Sequence, residues 1–176
     1  TAGHADLVEL ENGRYRVNPA AGITFDAAEF ERDATAALRA LRGGTDAAAA
    51  LEAALALYRG DFLEGETVGD WHLEVHDRLR RLYVDGLSAL ADAQAARGDY
   101  ETAARTLERL VQKEDLDEDA HRRLMRALAQ SGRRDRALRH FDHLAALLRR
   151  ELDADPDPET AGLAREIRDA GAAPVP

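Results

Sequence analysis

Apolar residues along most of this chain recur three and four positions apart, the spacing of a helical stripe that faces a core. Phe30, Ala34, Ala37, Leu38 and Leu41 form the first stripe, and Gly43-Gly44 closes it. Asp26 with Glu29 predicts a capping box at its start, and Phe25 with Phe30 a hydrophobic staple. A second stripe from about Asp46, with Thr45 or Asp46 as cap, puts Ala47, Leu51, Ala54, Leu55 and Tyr58 inward. A long helix capped by Asp70 carries Trp71, Val75, Leu79, Leu82, Leu90 and Ala93. Asp99 caps the next, with Ala103, Leu107, Leu110 and Val111 inward, and Asp117 opens another with Leu124, Ala127 and Leu128. Ala137, Phe141, Leu144, Ala145, Leu148 and Leu152 follow. Asp157-Pro158 is a cap with proline at the first helical position, and Leu163 with Ile167 marks a short closing helix. Leu7 to Val17 departs from this period. Two short runs there flank Asn12-Gly13, the signature of a type I′ β-hairpin. Two strands alone are marginal in water, so this hairpin is expected to be the edge of a neighbouring domain.

The helical region repeats itself. Gly98-Asp99-Tyr100-Glu101-Thr102-Ala103 recurs as Gly132-Arg133-Arg134-Asp135-Arg136-Ala137, a shift of 34 residues. Leu90 and Leu124, Ala93 and Ala127, and Leu110 and Leu144 keep the same register. A period of about 34 is that of a tetratricopeptide helix-turn-helix unit. The predicted fold is therefore all-α, with about seven helices in tetratricopeptide-like hairpins behind the short β-hairpin. The alternative is two unrelated amphipathic hairpins in an alanine-rich chain. The register does not carry back to the first helical pair.

Composition narrows the picture. Of 176 residues 45% are hydrophobic but only 5% aromatic, so the core must rest on Leu and Ala. A formal net charge of −10 makes the chain a poor partner for nucleic-acid phosphates on its own. There is no Cys, which removes disulfides and thiolate metal sites. No apolar run is long enough for a bilayer and no signal-peptide pattern opens the chain, so a cytoplasmic location without membrane contact is expected. The first residue is Thr1, not Met, and the chain reads as a fragment.

Several segments together resemble one family, the bacterial transcriptional activation domain of antibiotic-regulatory-protein-type regulators. They are Leu57-Tyr58-Arg59-Gly60-Asp61-Phe62-Leu63, Trp71 with Arg78-Leu79, and Arg97-Gly98-Asp99-Tyr100. His121-Arg122-Arg123-Leu124-Met125-Arg126-Ala127-Leu128, Ser131-Gly132-Arg133 with Ala137-Leu138, and Glu151-Leu152 leading to Asp155-Pro156 complete them. The resemblance covers Phe25 to Ile167; Leu116 departs from it, standing where the family usually has Pro. Gly13-Arg14-Tyr15, Asp26 and Phe30 look like the end of the winged helix-turn-helix that precedes this domain in the family. The implied organisation is a wing remnant at 1–24, the helical domain at 25–170 and a disordered tail at 171–176. The implied function is a regulatory protein-interaction domain that helps engage RNA polymerase or its σ factor. DNA binding would come from the missing upstream domain, and other domains of the parent regulator would be further partners. The competing function is a stand-alone scaffold or dimerisation unit, such as a homodimer, with no tie to transcription.

Chemistry is less prominent. His72 and His76 stand at i, i+4, but the intervening Glu74 is one residue out of place for a metalloprotease helix and no third ligand is evident. His140 and His143 are similarly isolated, and the glycines of 59–69 lack phosphate-loop spacing. No catalytic residues, metal or cofactor are expected. The basic clusters Arg78, Arg80, Arg81 and Arg122, Arg123, Arg126 read either as solvated, salt-bridged faces or as a docking surface. In tetratricopeptide units the first helix of each pair lines the concave groove. That places Asp85, Ser88 and Asp92 on one such helix and Asp119, Arg122 and Arg126 on the next. The groove is then expected to pass from acidic to basic and to suit a charged peptide or helix. Arg122 and Arg126 are expected to be exposed together, so that reversing both leaves folding intact.

Overall fold

The computed structural model describes residues 8–11, 14–17, 25–63 and 72–172, with side chains described over 25–63 and 72–170. Strands β1 (Val8–Glu11) and β2 (Arg14–Val17) pair antiparallel, Val8 opposite Val17 and Glu11 opposite Arg14. Asn12 and Gly13 lie outside the described residues, as do Gly65, Gly69, Asp70 and Trp71. Seven helices follow among the described residues: α1 (Asp26–Arg42), α2 (Ala48–Leu55), α3 (Leu73–Ala96), α4 (Tyr100–Lys113), α5 (Glu118–Gln130), α6 (Arg134–Leu152) and α7 (Pro158–Ala172). They pack as three hairpins, α1–α2, α3–α4 and α5–α6, with α4 against α5 and α7 closing the end on α5 and α6. This is the expected all-α hairpin stack.

The turns show why the repeat exists. Gly98 and Gly132 occupy equivalent turns at φ +77° and +78°, a region that glycine alone enters without penalty. At each, the residue after the glycine donates its N–H to a carbonyl five back (Asp99 to Gln94, 3.1 Å; Arg133 to Leu128, 2.8 Å). The glycine itself donates three back, to Ala95 and Ala129. These are Schellman closures, which satisfy the last free carbonyls of the helix. Gly44 (φ +80°) repeats both bonds, from Thr45 to Ala40 and from Gly44 to Leu41. The first hairpin thus shares the turn chemistry without sharing the 34-residue register.

Caps behave as read at two helices and not at α1 or α2. Helix α2 begins after Ala47, not after Thr45 or Asp46, and Ala47 makes no side-chain cap bond. The Asp99 carboxylate accepts from Thr102 N–H at 3.1 Å, and Asp117 accepts from Asp119 N–H at 2.9 Å. In α1 the helix begins one residue earlier than the capping box requires. Phe25 is the cap and makes no side-chain bond, and Asp26 is already helical, its carboxylate 2.8 Å from Ala27 N–H. An acidic side chain in the first turn still meets the positive end of the helix dipole. Phe25 is half exposed, so the staple does not form.

The core is Leu and Ala with one aromatic knot. Phe30 is buried against Tyr58 and Tyr83, which stack on each other at 4.1 Å. Burying each such side chain stabilises the fold by roughly 1.5–3 kcal/mol. Helix α2 ends at Leu55, so Tyr58 reaches this knot from a loop and not from the helix face. The Leu57–Leu63 segment is pinned by Asp61, which accepts from the Tyr58 hydroxyl at 2.5 Å and the Lys113 ammonium at 2.8 Å. Burial raises the Asp61 carboxyl, but Lys113 and Tyr58 together hold it below its ordinary value. Phe62 packs, partly buried, against the core. One inward assignment of α6 changes: Leu152, its last residue, is exposed, and Leu147 is buried in its stead. Helix α7 runs on through Gly171 and Ala172, so the tail expected from 171 begins inside a helix.

Candidate protein-binding groove

Helices α3, α5 and α7 line a cleft of about 530 Å³. Its floor is apolar and mostly small: Ala91 and Ala95 from α3, Ala127 from α5, Leu107 from beneath, Leu163 and Ile167 from α7. Its charged rim is Asp92 on α3, Arg123 and Arg126 on α5, Arg134 on α6 and Glu166 on α7. The walls are first helices of successive hairpins, as the tetratricopeptide register requires. The closing helix supplies the third wall.

The three α5 arginines have different fates. Arg123 bridges the first step of the groove: its guanidinium donates to the Ser88 hydroxyl (2.7 Å), the Ser88 carbonyl (2.9 Å) and the Asp92 carboxylate (2.7 Å). Arg122 points to the end of the stack. Its side chain is only 12% exposed, set 3.3 Å from Asp119, 3.8 Å from Asp157 and 3.7 Å from Glu159, and it donates to the buried Thr160 hydroxyl at 3.1 Å. Glu118 adds to the same contact by accepting the Asp157 N–H at 3.0 Å. Arg126 is exposed and makes no hydrogen bond or ion pair with any described residue.

The six residues read from sequence therefore divide. Asp92 and Arg126 come together around the cleft, while Ser88 does not line it and is bonded to Arg123. Asp85 is exposed on α3 but does not line it. Asp119 and Arg122 belong instead to the α5–α7 joint, and the expectation that Arg122 and Arg126 project together as free charges is corrected. The cause is α7: its N-terminal carboxylates converge on Arg122, a contact that a two-repeat register cannot show. Arg123, Arg134 and Glu166 were missed as groove residues; treating α7 as a third first helix would have found the last.

The histidines also sort themselves. His76 Nδ1 is 3.1 Å from Asp77, and its Nε2 is 4.0 Å from Asp61. His140 pairs with His121 and not with His143: His121 Nδ1 and His140 Nε2 are 2.7 Å apart, and the rings stack at 4.9 Å. His121 Nε2 lies 2.9 Å from the Asp115 carbonyl, which can only accept. His121 must then donate from Nε2, leaving Nδ1 to accept from His140. Burial lowers both imidazoles from their ordinary value, and His140, with the positive charge of His121 and His143 also opposing protonation, falls to about 4.

A stack of helical hairpins with a charged cleft defines a scaffold of the tetratricopeptide-like kind. The chain belongs to the bacterial transcriptional activator domain family, whose profile matches residues 25–168. Among solved structures it is similar to Mycobacterium tuberculosis EmbR, determined in complex with a low-affinity phosphopeptide, with 26% identity and a TM-score of 0.61. The match covers 97% of this chain and 45% of the EmbR chain, so this chain spans less than half of that protein's length. No curated protein matches it. Among the described residues no helix is long and apolar enough to cross a membrane.

Proposed function

We propose that this chain is the partner-binding domain of a bacterial transcriptional regulator, acting by protein contact with RNA polymerase or its σ factor. Its membership of the activator-domain family over 25–168 carries this reading. The groove supports it: an apolar floor between charged walls is a surface for protein, and the net charge of −10 opposes phosphate binding. DNA contact would belong to an upstream winged helix-turn-helix, with 1–24 as its last hairpin. The antiparallel pairing of β1 and β2 is consistent with that assignment.

The test is a fusion of residues 1–176 to an unrelated DNA-binding domain, assayed on a reporter that carries that domain's operator. Activation above the DNA-binding domain alone is expected. The unfused chain should show no sub-micromolar affinity for duplex DNA at physiological salt. A fusion that is well expressed yet inert would refute the recruitment reading and leave a scaffold or dimerisation unit in its place.

A further inference from the structure

We propose that the cleft between α3, α5 and α7 takes one amphipathic helix of a partner protein, with carboxylates along the flank that meets Arg126 and Arg134. The inference rests on the partner-binding reading and names the chemistry of the partner. Three features of the cleft point to it.

The floor is shaped for a helix. Ala91, Ala95 and Ala127 keep the walls low, and small residues let two helix backbones approach closely. Leu163 and Ile167, largely buried in the α5–α7 packing, form the apolar back of one side. A volume of about 530 Å³ admits the side chains of one helical face while the partner's backbone stays at the rim. Apolar residues at i, i+3 or i+4, and i+7 would fill it.

The rim carries charge that the fold does not use. Arg122 and Arg123 are both struts, one to α7 and one to α3. Arg126 on the same helix holds no other described residue. Arg134 is equally unpaired among the described residues, and it stands in the first turn of α6, where the helix dipole disfavours a cation. Its neighbour Arg133 is tied to Glu101 at 2.6 Å. Two idle guanidiniums therefore face the cleft from the α5–α6 side, each able to take a carboxylate in a forked pair.

The opposite wall differs in sign. Glu166 on α7 lines the cleft and has no cation of its own among the described residues. A partner helix with acidic residues on one flank and neutral or basic residues on the other is matched in one orientation and mismatched in the reverse. Charge thus sets direction, and the apolar floor supplies contact area.

The probe is a synthetic lactam-stapled peptide of about four helical turns, with Leu on one face, Glu on one flank and Gln elsewhere. It is titrated by fluorescence anisotropy against residues 1–176. Saturable binding is expected, with affinity at least tenfold weaker for the R126E/R134E variant. A peptide with Lys for Glu should fail on the wild type and bind the variant. Both arginines are exposed and unpaired among the described residues, so the variant should keep its helical circular dichroism and Tm. A95L, which fills the floor and leaves the charge untouched, should weaken both pairings. The proposal is overturned if the wild type binds neither peptide or both alike. It is also overturned if the folded variant binds the Glu peptide as well as the wild type does. Wild-type dimerisation abolished by R126E/R134E would make a second copy the occupant and overturn it as well. A reporter fusion that activates despite R126E/R134E sinks the groove assignment alone; an inert wild-type fusion sinks the recruitment reading, whatever the peptide does.

Discussion

At the scale of single residues, the His121–His140 pair makes stability depend on pH. His121 is neutral in the hydrogen-bonded arrangement, because a second proton on its Nδ1 would set N–H against N–H. His140 would take its second proton on Nδ1, away from the pair, and is held neutral by burial and by His121 and His143. An unfolded chain protonates near pH 6.5, while folded His140 resists until about 4. Between those values the unfolded state binds more protons, so stability falls as the solution is acidified. Thermal unfolding followed from pH 7 to pH 5 should show a declining Tm, and H140Q should flatten the decline. Asp61 and Asp99, whose carboxyls are held below their ordinary value, contribute little in that window, because an unfolded Asp takes up its proton only at about pH 3.9. Gly86 is a second sensitive point. A β-carbon there would stand 2.8 Å from Leu55 Cδ2, and Leu55 is fully buried. G86L should destabilise by about 1–3 kcal/mol in urea unfolding through overpacking of α2 against α3. Neither feature is visible in sequence. The two histidines are 19 residues apart on different helices, and Gly86 sits inside a helix with no turn to mark it.

At the scale of elements, local chemistry was legible and its limits are instructive. The glycine turns and the Asp99 and Asp117 caps depend on residues within five positions of one another, and all were readable. The start of α1 was misread because Asp26 satisfies two competing patterns, cap and first-turn acid. The end of α2 was misread because Tyr58, apolar in spacing, is drawn out of the helix by Asp61 and Tyr83. G132A should cost about 1–2 kcal/mol, since alanine must enter the left-handed region there. D117A should cost about 1 kcal/mol as a lost cap. Urea unfolding of the two single variants and the double measures both and tests whether opposite ends of the α5–α6 hairpin add.

For the whole molecule, the stack and its groove were legible, while the allocation of charges within the groove was not. Which arginine becomes a strut depends on where α7 docks, and no repeat arithmetic places it. R122E would set a carboxylate against Asp119, Asp157 and Glu159, and should lower stability by about 2 kcal/mol or more, with α7 the first element to gain protease sensitivity. R126E alone should change stability by less than about 0.5 kcal/mol. Limited proteolysis and Tm of the two variants, side by side, check the division between joint and groove.

The docking of α7 has a last consequence, for communication along the protein. One helix both forms a wall of the cleft and seals the end of the stack through Arg122. Anything that loosens the seal, such as a change of charge at Arg122, alters the shape of the binding surface without touching its floor. The seal is a point where events at one end of the chain can be felt in the groove.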